Sequence, residues 1–296
     1  MKVYQNVMVG IILVNYNGYE DTEECVRSIY ASNAENYKII IVDNYSTDDS
    51  RKKLNKLQKI YDIAVLFSDQ NGGFSYGNNI GIKYALDHRC DYVLLLNNDT
   101  LVAPDFLDEL LKPFNICDNC GITIGKILYA REPDKIWYAG GSFNWKTSRT
   151  DHFHMNENNR LDGECMQSVT FATGCCMLIS ADTIKEIGYL DESYFMYDED
   201  CDYCLRTLGN GKEIIYIPTA VIYHKISASA GRDSNFSQFY IIRNHYRIIR
   251  KYISSRNKPI AYMYYTVQTL FRCLKSQYSF SVYVKAVAAF MRSSRS

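Results

Sequence analysis

The first half of the chain alternates short, unbroken apolar runs with segments of helical periodicity. Apolar runs rich in Val, Ile and Leu are typical of strands buried on both faces, whereas helices repeat apolar residues every three or four positions. The predicted strands are Met8–Val14, Lys38–Val42, Ile63–Phe67 and Tyr92–Leu96. The predicted helices are Tyr19–Ala31, a helix capped within Ser46–Ser50 and running through Tyr61, Phe74–His88, and a helix from Pro104 to about Ile116. This alternation predicts a parallel sheet with right-handed crossovers, a Rossmann-like α/β architecture.

The regular alternation ends near Gly121, and the second half of the chain is less uniform. A predicted strand at Ile122–Tyr129 precedes a polar stretch, residues 130–165, with scattered aromatic side chains. Because a structureless loop of that length is uncommon in a compact domain, we expect short strands or a functional excursion there. The elements predicted further on are a strand over Val169–Ser180, a short helix, a helix ending near Leu208 and a strand over Glu213–His224.

The C-terminal residues differ from the rest of the chain in pattern and in charge. From Phe236 onward the pattern is helical, with a break expected near Pro259. The whole chain has 33 basic and 33 acidic residues, yet residues 236–296 contain 11 Lys or Arg and no Asp or Glu. We therefore predict an α/β domain over residues 1–235 and a basic, aromatic-rich helical extension over residues 236–296. This extension is expected to face an anionic membrane surface or a phosphate-bearing acceptor.

Composition and the N-terminal sequence narrow the class of protein. Because no apolar run reaches 18 residues, no transmembrane helix is expected. The first residues show no apolar segment of signal-peptide length. The ten cysteines are therefore expected to be reduced thiols. We expect a cytoplasmic protein, or one bound peripherally at the inner face of the cell membrane.

Polar residues follow each of the first four predicted strands. The four groups are Asn15-Tyr16-Asn17, Asp43-Asn44, Asn71-Gly72-Gly73 and Asn97-Asn98-Asp99. Any one of them is compatible with a simple turn, because Asn, Asp and Gly are common turn formers. The carboxyl ends of parallel strands meet at one edge of a sheet, so the four groups together predict a ligand pocket. The last group offers a carboxylate and two amides, hard oxygen donors that suit Mg²⁺ or Mn²⁺ shared with a substrate's phosphates.

A glycine-rich segment, Gln70–Gly81, allows a ligand to approach the backbone at the start of a helix. It does not match the dinucleotide fingerprint, which follows the first strand, where this chain has Asn15–Gly18. No Gly-x-x-x-x-Gly-Lys-Ser/Thr loop occurs anywhere in the sequence. A dehydrogenase or a phosphate-loop ATPase is therefore not expected.

Six blocks of sequence occur in unbroken order between about Val7 and about Gly231. They are Val14–Asn17, Val42–Ser50, Asn71–Asn79, Leu96–Asp99, Thr173–Ser180 and Gly188–Arg206. Together they resemble family 2 glycosyltransferases with the GT-A fold, an α/β fold with a mostly parallel sheet. The rhamnosyltransferase-like branch, in which Asn-Asn-Asp commonly replaces Asp-x-Asp, is the most similar.

The resemblance implies a site for a nucleotide-sugar donor at the strand ends. Asp43 is implied to hold the nucleotide, and Asp99 to bind the divalent ion that bridges the donor's diphosphate. His224 is implied to complete the metal site, with an ordinary strand-end hydrogen bond as the alternative. Family members usually have Asp where this chain has Asn97, which weakens the expected metal affinity. The full predicted set is Asn15, Tyr16, Asn17, Asp43, Asn44, Asn71, Gly73, Asn79, Asn97, Asn98 and Arg243 for the donor, and Asp99 and His224 for Mg²⁺ or Mn²⁺.

Four of the five residues from Asp198 to Asp202 are acidic. The helix dipole alone would favour such a cluster at the start of a helix. An inverting sugar transfer, however, needs a carboxylate that takes the proton from the acceptor hydroxyl. Crowding with other acids raises the pKa of a carboxylate and makes it a stronger base. By family alignment the base is Asp200, with Glu199 beside it as the alternative and Asp202 as a structural residue.

Two cysteine pairs, Cys117 with Cys120 and Cys201 with Cys204, have a spacing found in zinc sites. Because the pairs are far apart in sequence, we favour small buried hydrophobic residues over a zinc site. Cys175 and Cys176 are likewise predicted to be core residues of a strand.

The extension segment Phe239–Tyr252 is predicted to be an amphipathic helix, since its isoleucines recur near helical spacing. Three interpretations are open for it: a helix that packs over the active site, a homodimer contact, or a peripheral membrane contact. For membrane contact, Tyr278–Met291 is the better candidate.

The resemblance implies an inverting enzyme that adds a single sugar in cell-surface polysaccharide synthesis. The Gln-x-x-Arg-Trp motif and the transmembrane helices of processive members are both missing from the sequence. The expected donor is dTDP-L-rhamnose, with a UDP-hexose as the alternative, and the expected acceptor is a glycan or lipid-linked saccharide, with no nucleic-acid partner. A nucleotidyltransferase is disfavoured because Asn15–Gly18 carries no basic residue. A non-catalytic relative that only binds nucleotide sugars stays open, since Asn97 replaces the usual Asp.

Overall fold

The computed structural model describes residues 7–159, 165–226 and 234–293. Its strands are β1 (Val9–Asn15), β2 (Tyr37–Asp43), β3 (Ile63–Phe67), β4 (Tyr92–Leu96), β5 (Thr100–Val102), β6 (Cys120–Tyr129), β7 (Glu132–Tyr138), β8 (Gly141–Phe143), β9 (Thr150–His152), β10 (Gln167–Val169), β11 (Cys176–Ser180) and β12 (Glu213–His224). Its helices are α1 (Tyr19–Tyr30), α2 (Ser50–Leu57), α3 (Gly73–Asp87), α4 (Phe106–Leu111), α5 (Ala181–Ile187), α6 (Glu199–Gly209), α7 (Asn235–Tyr252), α8 (Lys258–Leu274) and α9 (Phe280–Arg292).

One mixed sheet forms the core, in the order β10-β12-β6-β11-β4-β1-β2-β3. The four N-terminal strands β1 to β4 pair in parallel, as predicted. β11 runs antiparallel to both β4 and β6, and β12 is parallel to β6. Nearly every residue of β1, β4 and β6 is buried, so both faces of the central strands are covered. The mostly parallel α/β sheet predicted from the apolar runs is confirmed.

Three predicted elements have different limits in the structure. The single strand predicted over Val169–Ser180 is two strands, β10 and β11, because residues 170–175 leave the sheet as a loop. The helix predicted to run through Tyr61 ends at Leu57 and is followed by turns. The helix predicted to end near Ile116 becomes a 3₁₀-helix at Lys112–Asn115, where Pro113 lacks the N–H that an α-helix would use.

The polar stretch at residues 130–165 contains short strands, as predicted. β7 pairs antiparallel with β6 and so extends the main sheet. β8 and β9 form a separate antiparallel hairpin beside it. The stretch at residues 130–165 is therefore anchored to the main sheet through β7.

The extension forms three helices, α7 to α9, with a break at residues 253–257. α7 packs against α6 on one side and against α8 and α9 on the other. Its Ile242, Ile248 and Ile249 are buried, which agrees with a packing role for the predicted amphipathic helix. The division into two domains at residue 235 stays a prediction. Across the described parts of the chain, every helix is too short or too polar to cross a bilayer.

Asp202 joins the α/β core to the extension. Its carboxylate is fully buried and accepts hydrogen bonds from Arg206, Lys251 and Tyr252 at 2.9, 2.6 and 2.7 Å. Lys251 and Tyr252 belong to α7, whereas Asp202 and Arg206 belong to α6. The structural role predicted for Asp202 is therefore consistent with its contacts.

We expect Asp202→Asn to lower the free energy of unfolding by about 3 kcal/mol, because it leaves two cations beside a site that has lost its buried charge. Urea denaturation of the full chain measures the change. The matched control is Asp182→Asn, whose carboxylate is 89% exposed and pairs with Lys185 on the surface. That variant should change the free energy by less than about 0.5 kcal/mol. Equal effects of the two substitutions would contradict a structural role for Asp202.

Candidate active site

A cavity of about 1730 Å³ opens at the carboxyl ends of the parallel strands. The turn after β4 contributes Asn97, Asn98 and Asp99 to its wall, and the start of α6 contributes Glu199 and Asp200. Segments from α7, α8 and the excursion after β7 line the remaining sides. The structure thus brings the predicted metal-binding and catalytic residues into one cavity.

A hydrogen-bond network joins the ends of β1, β2 and β4. Asn15 Nδ2 donates to Asp43 Oδ2 at 3.0 Å, and Thr22 Oγ1 donates to Asn15 Oδ1 at 2.9 Å. Asn98 Nδ2 donates to the same Thr22 hydroxyl at 2.8 Å. Arg51 Nε lies 3.2 Å from Asp43 Oδ1. Asn98 is the member of this network that lines the cavity. The network therefore fixes the orientation of Asn98 at the edge of the cavity where the nucleotide of the donor is predicted to bind.

The remaining strand-end residues belong to the same edge. Asn44 Nδ2 donates to Asn71 Oδ1 at 3.1 Å, and Asn17 Oδ1 accepts from the Thr47 backbone N–H at 2.8 Å. The predicted nucleotide residues Asn15, Asn17, Asp43, Asn44 and Asn71 therefore lie together. Their contact with a donor stays a prediction.

Of the eleven predicted donor residues, only Asn97 and Asn98 are among the described residues that line the cavity. Asn15, Asn17, Asp43, Asn44 and Asn71 lie behind it in the strand-end network, and the other four are placed differently. A Cβ on Gly73, whose φ is +85°, would lie 1.9 Å from a carbonyl oxygen of the segment 190–195. Asn79 exchanges hydrogen bonds of 2.9 and 3.0 Å with the backbone of that segment, and Arg243 Nη2 donates to another of its carbonyls at 3.1 Å. The Tyr16 side chain is exposed. Gly73, Asn79 and Arg243 thus position the segment before the acidic cluster, and a donor contact by any of the four stays a prediction.

Asp99 and His224 meet in the cavity wall, with His224 Nε2 3.1 Å from Asp99 Oδ1. Antiparallel pairing of β12 with β5 places His224 beside the end of β4. Two ligands at neighbouring octahedral positions, each about 2.1 Å from an ion, lie about 3 Å apart, so this spacing fits Mg²⁺ or Mn²⁺. No cluster of three or more His, Cys, Asp or Glu in the described ranges is arranged to hold an ion. An ion held by Asp99 and His224 would therefore need further ligands, such as oxygens of a bound diphosphate.

The segment before α6 has an unusual backbone conformation. Tyr197 and Asp198 both have positive φ angles, 66° and 65°. Such angles are costly for residues other than glycine and are concentrated at functional sites. Together with the contacts from Gly73, Asn79 and Arg243, they fix where α6 begins.

Asp200 lines the cavity and is anchored by the loop between β10 and β11. Its Oδ2 accepts the Gly174 backbone N–H at 3.0 Å, and its Oδ1 accepts that of Cys201 at 2.8 Å. Burial raises the pKa of Asp200 to about 6, and the nearby Asp198 carboxylate adds to this rise. A carboxyl with such a pKa is ionised at neutral pH and is a stronger base than an exposed one.

Glu199 has a different environment from Asp200. Its Oε2 is buried without a hydrogen-bond partner among the described residues. Burial, and then the Asp200 charge, raise the pKa of Glu199 well above its usual range. When Glu199 and Asp200 share one proton, Glu199 is therefore the residue that holds it. Asp200 is then the ionised member and the more suitable base.

The stretch at residues 130–165 supplies one wall of the cavity, from β7 and the residues after it, and the sequence analysis assigned no site residue there. Trp137, Arg149 and His152 line the cavity. The Trp137 ring packs edge-on against His224 at 4.8 Å and against His152 at 5.0 Å. The sequence pattern indicated only that residues 130–165 are too many for a loop without secondary structure.

His245 of α7 was also missed, because one histidine in an amphipathic helix carries no distinguishing pattern. Its Nε2 lies 2.8 Å from Ser148 Oγ, and its Nδ1 lies 3.8 Å from Asp198 Oδ1. The ring also packs on Tyr265 of α8 at 4.0 Å. The helical extension therefore reaches the acidic segment and forms part of the cavity.

The cysteines of the sequence pair on α6 are core residues. Cys201 and Cys204 are 2% and 0% exposed. Burial raises the pKa of both thiols, which keeps them protonated and unsuited to metal binding. Cys175 and Cys176 are buried as well, although Cys175 precedes β11 and does not belong to a strand.

Comparison with curated proteins shows relatives that act on sugars. The low-salt glycan biosynthesis hexosyltransferase Agl10 of Haloferax volcanii is 31% identical over 69% of this chain, which spans 64% of its length. The dTDP-rhamnosyl transferase RfbF of Shigella flexneri is 23% identical, over 83% of this chain and 81% of the relative. The N-acetylglucosaminyl-diphospho-decaprenol L-rhamnosyltransferase of Mycobacterium tuberculosis is 24% identical, over 76% and 78%.

Two solved structures are similar in fold. The mannosyltransferase PcManGT from Pyrobaculum calidifontis, in complex with GDP-Man and Mn²⁺, has a TM-score of 0.64 at 14% identity, over 97% of this chain and 76% of that one. GalNAc-T7 with UDP, GalNAc and Mn²⁺ has a TM-score of 0.62 at 16% identity, over 74% and 43%. These similarities confirm the predicted GT-A fold.

Residues 10–188 match the family model for glycosyl transferase family 2. The predicted resemblance is therefore confirmed, and the chain belongs to glycosyl transferase family 2.

Proposed function

We propose that the protein is an inverting, non-processive glycosyltransferase that moves one sugar from a nucleotide donor to a hydroxyl of a saccharide acceptor. The observation that carries this proposal is the presence of a partly buried, anchored Asp200 in the same cavity as the Asp99–His224 pair. One side of the cavity is suited to a diphosphate and the other to deprotonating an alcohol.

In the proposed reaction, Asp200 accepts the proton of the acceptor hydroxyl while that oxygen attacks the anomeric carbon. The new glycosidic C–O bond forms as the bond to the donor's phosphate breaks on the opposite face, so the configuration inverts. The nucleoside diphosphate leaves with the electrons of the broken bond. A divalent ion held by Asp99 and His224 would offset its negative charge.

For the donor we propose dTDP-L-rhamnose, with a UDP-hexose as the second candidate. Two of the relatives are named as rhamnosyl transferases, which supports the first, and Agl10 is named as a hexosyltransferase, which supports the second. We disfavour a non-catalytic nucleotide-sugar-binding protein, because Asp200 and the Asp99–His224 pair, the proposed base and metal ligands, line one cavity despite Asn97.

A thermal-stability screen with dTDP-rhamnose, UDP-hexoses and UDP-N-acetylhexosamines, with Mn²⁺ or with EDTA, tests the proposal. We expect one of these donors to raise the melting temperature in the presence of Mn²⁺, since a ligand that binds only the folded state stabilises it. Absence of any shift across the panel would count against a nucleotide-sugar enzyme.

For the acceptor we propose a lipid-linked saccharide, and for the cell location a peripheral position on an anionic membrane. The relative from Mycobacterium tuberculosis is named for an acceptor carried on diphospho-decaprenol. The basic charge of residues 236–296 and the exposed apolar side chains on α8 and α9 support a membrane contact. Sedimentation with anionic vesicles should show binding that weakens from low to high salt. If the protein formed a stable homodimer and did not bind vesicles, the exposed apolar surface of α8 and α9 would instead be assigned to a dimer contact.

A further inference from the structure

The central cavity extends beyond the acidic segment to the turn between α8 and α9. Along this part its wall is formed by Tyr265, Gln268 and Arg272 of α8 and by residues 276–279 of the turn. None of these residues belongs to the predicted donor or catalytic sets. The cavity therefore has more length than a nucleotide sugar and a base account for.

α8 has two distinct faces, one toward the cavity and one toward solvent. Tyr265, Gln268 and Arg272 follow one another at spacings of three and four residues, so they share a face of the helix. Exposed apolar residues occupy the opposite face, and they are Ile260, Met263, Val267, Phe271 and Leu274. Arg272 is thus the basic residue that α8 places on its cavity side.

The Arg272 guanidinium lacks a carboxylate partner. Its Nη1 donates to Tyr278 Oη at 2.8 Å, which uses one of its five N–H groups. It forms no ion pair with a carboxylate of the described residues, and the extension itself contains no acid. Arg149, by contrast, lines the cavity with its charge paired to Asp151. A partly buried guanidinium with spare donors favours a phosphate, which it binds through two parallel hydrogen bonds.

The position of Arg272 along the cavity fits the length of an acceptor. Tyr265 packs on His245, which lies 3.8 Å from Asp198 beside the catalytic segment. Arg272 follows Tyr265 by seven residues, which corresponds to about 10 Å along the helix axis. An acceptor that extends from Asp200 past His245 and Tyr265 would therefore bring an anionic group to Arg272.

Exposed apolar side chains flank the turn that follows Arg272. Leu274, on the solvent face at the end of α8, and Phe280, at the start of α9, are 83% and 62% exposed. Burying such side chains against hydrocarbon is favourable, because it removes apolar surface from water. Going outward from the acidic segment, the proposed base Asp200 comes first and the polar wall with Tyr265 and Gln268 follows. The Arg272 guanidinium is next, and the exposed apolar side chains of Leu274 and Phe280 come last.

From this order we infer that Arg272 binds the phosphate that links the acceptor saccharide to its lipid, and that Leu274 and Phe280 contact the first part of the lipid. The inference rests on the proposed transfer to a lipid-linked acceptor, and it assigns the recognition of that acceptor to the helical extension.

The test measures calorimetric binding of geranyl diphosphate to the full chain in EDTA, so that no ion bridges the probe to Asp99. We expect Arg272→Met to weaken this binding at least tenfold, because the guanidinium supplies the phosphate's main contact. Lys285→Met is the matched control, since it removes an exposed cation from α9 of the same extension. Tyr278→Phe removes the hydrogen bond to Arg272 but keeps the guanidinium, and it should bind within about twofold of the wild type.

Any result that differs from these expectations overturns the inference. Equal binding by Arg272→Met and the wild type, or an equal loss in Lys285→Met, would show that Arg272 makes no specific contact. A loss in Tyr278→Phe as large as in Arg272→Met would indicate that Arg272 acts only by holding the turn. Inorganic diphosphate that bound as tightly as geranyl diphosphate would point to a free phosphate ligand. Because the probe contains neither sugar nor nucleotide, this result is independent of the donor screen, whose failure would instead count against the proposed transfer.

Discussion

Asp200→Asn is expected to lower the turnover number for sugar transfer by about 10²- to 10⁴-fold, the usual contribution of a general base. Asparagine has almost the same shape and still accepts the Gly174 N–H, but it cannot take the proton of the acceptor hydroxyl. Because the substitution leaves the donor side of the cavity unchanged, nucleotide binding should stay within about twofold of the wild type. Turnover at saturating donor, together with calorimetric nucleotide binding, measures both quantities.

Two controls separate this role from a general disturbance of the acidic segment. Glu199→Gln should lose less than about tenfold in turnover, since Glu199 is the protonated member of the pair. In the wild type, kcat/KM should fall as the pH drops through about 6, because protonation of Asp200 removes the base. A larger loss in Glu199→Gln than in Asp200→Asn would transfer the role of base to Glu199.

Asp99→Asn is expected to lower kcat/KM by about 100-fold or more and to abolish the effect of Mn²⁺ on donor binding. Asp99 is the only carboxylate in the Asn97–Asp99 group, so its loss leaves His224 without an anionic partner at the proposed metal site. A 100-fold loss corresponds to about 2.7 kcal/mol of transition-state stabilisation. The donor's dissociation constant, measured with Mn²⁺ and with EDTA, tests the metal role separately from the rate.

Asn97→Asp is the converse experiment. An added carboxylate should lower the Mn²⁺ concentration needed for half-maximal donor binding, since it offers the ion a second charged oxygen ligand. Asp118→Asn removes an exposed carboxylate that is not among the residues lining the cavity, and it should leave this Mn²⁺ concentration unchanged. Donor binding that responded to Mn²⁺ equally in the wild type and in Asp99→Asn would contradict the assignment of the metal site.

The sequence predicted the α/β core and one edge of the site, because both follow from local patterns. Unbroken apolar runs mark β1, β2 and β4, and the polar residues that end them must meet wherever the strands are parallel. The network from Asp43 through Asn15 to Asn98 is a consequence of that geometry. Only the family resemblance, however, singled out Asp200 within its cluster.

The other walls of the cavity depend on tertiary packing that no local pattern reports. Trp137 and His152 reach His224 through the path of β7 to β9. His245 and Arg272 reach the cavity through the packing of α7 and α8, and in sequence each resembles any polar residue of an amphipathic helix. Gly73, Asn79 and Arg243 were assigned to the donor through their motifs, whereas their contacts are with the segment 190–195. A motif locates a residue near a site without fixing which partner it contacts.

The anomeric configuration of the first sugar product tests the central claim most directly. With the donor identified by the stability screen, water can serve as a slow acceptor, and ¹H NMR detects the released sugar before it mutarotates. Displacement by an oxygen that Asp200 deprotonates predicts a sugar of opposite anomeric configuration to the donor, formed much more slowly in Asp200→Asn. A sugar released with the donor's own configuration, or at equal rates in both proteins, would contradict the proposed mechanism.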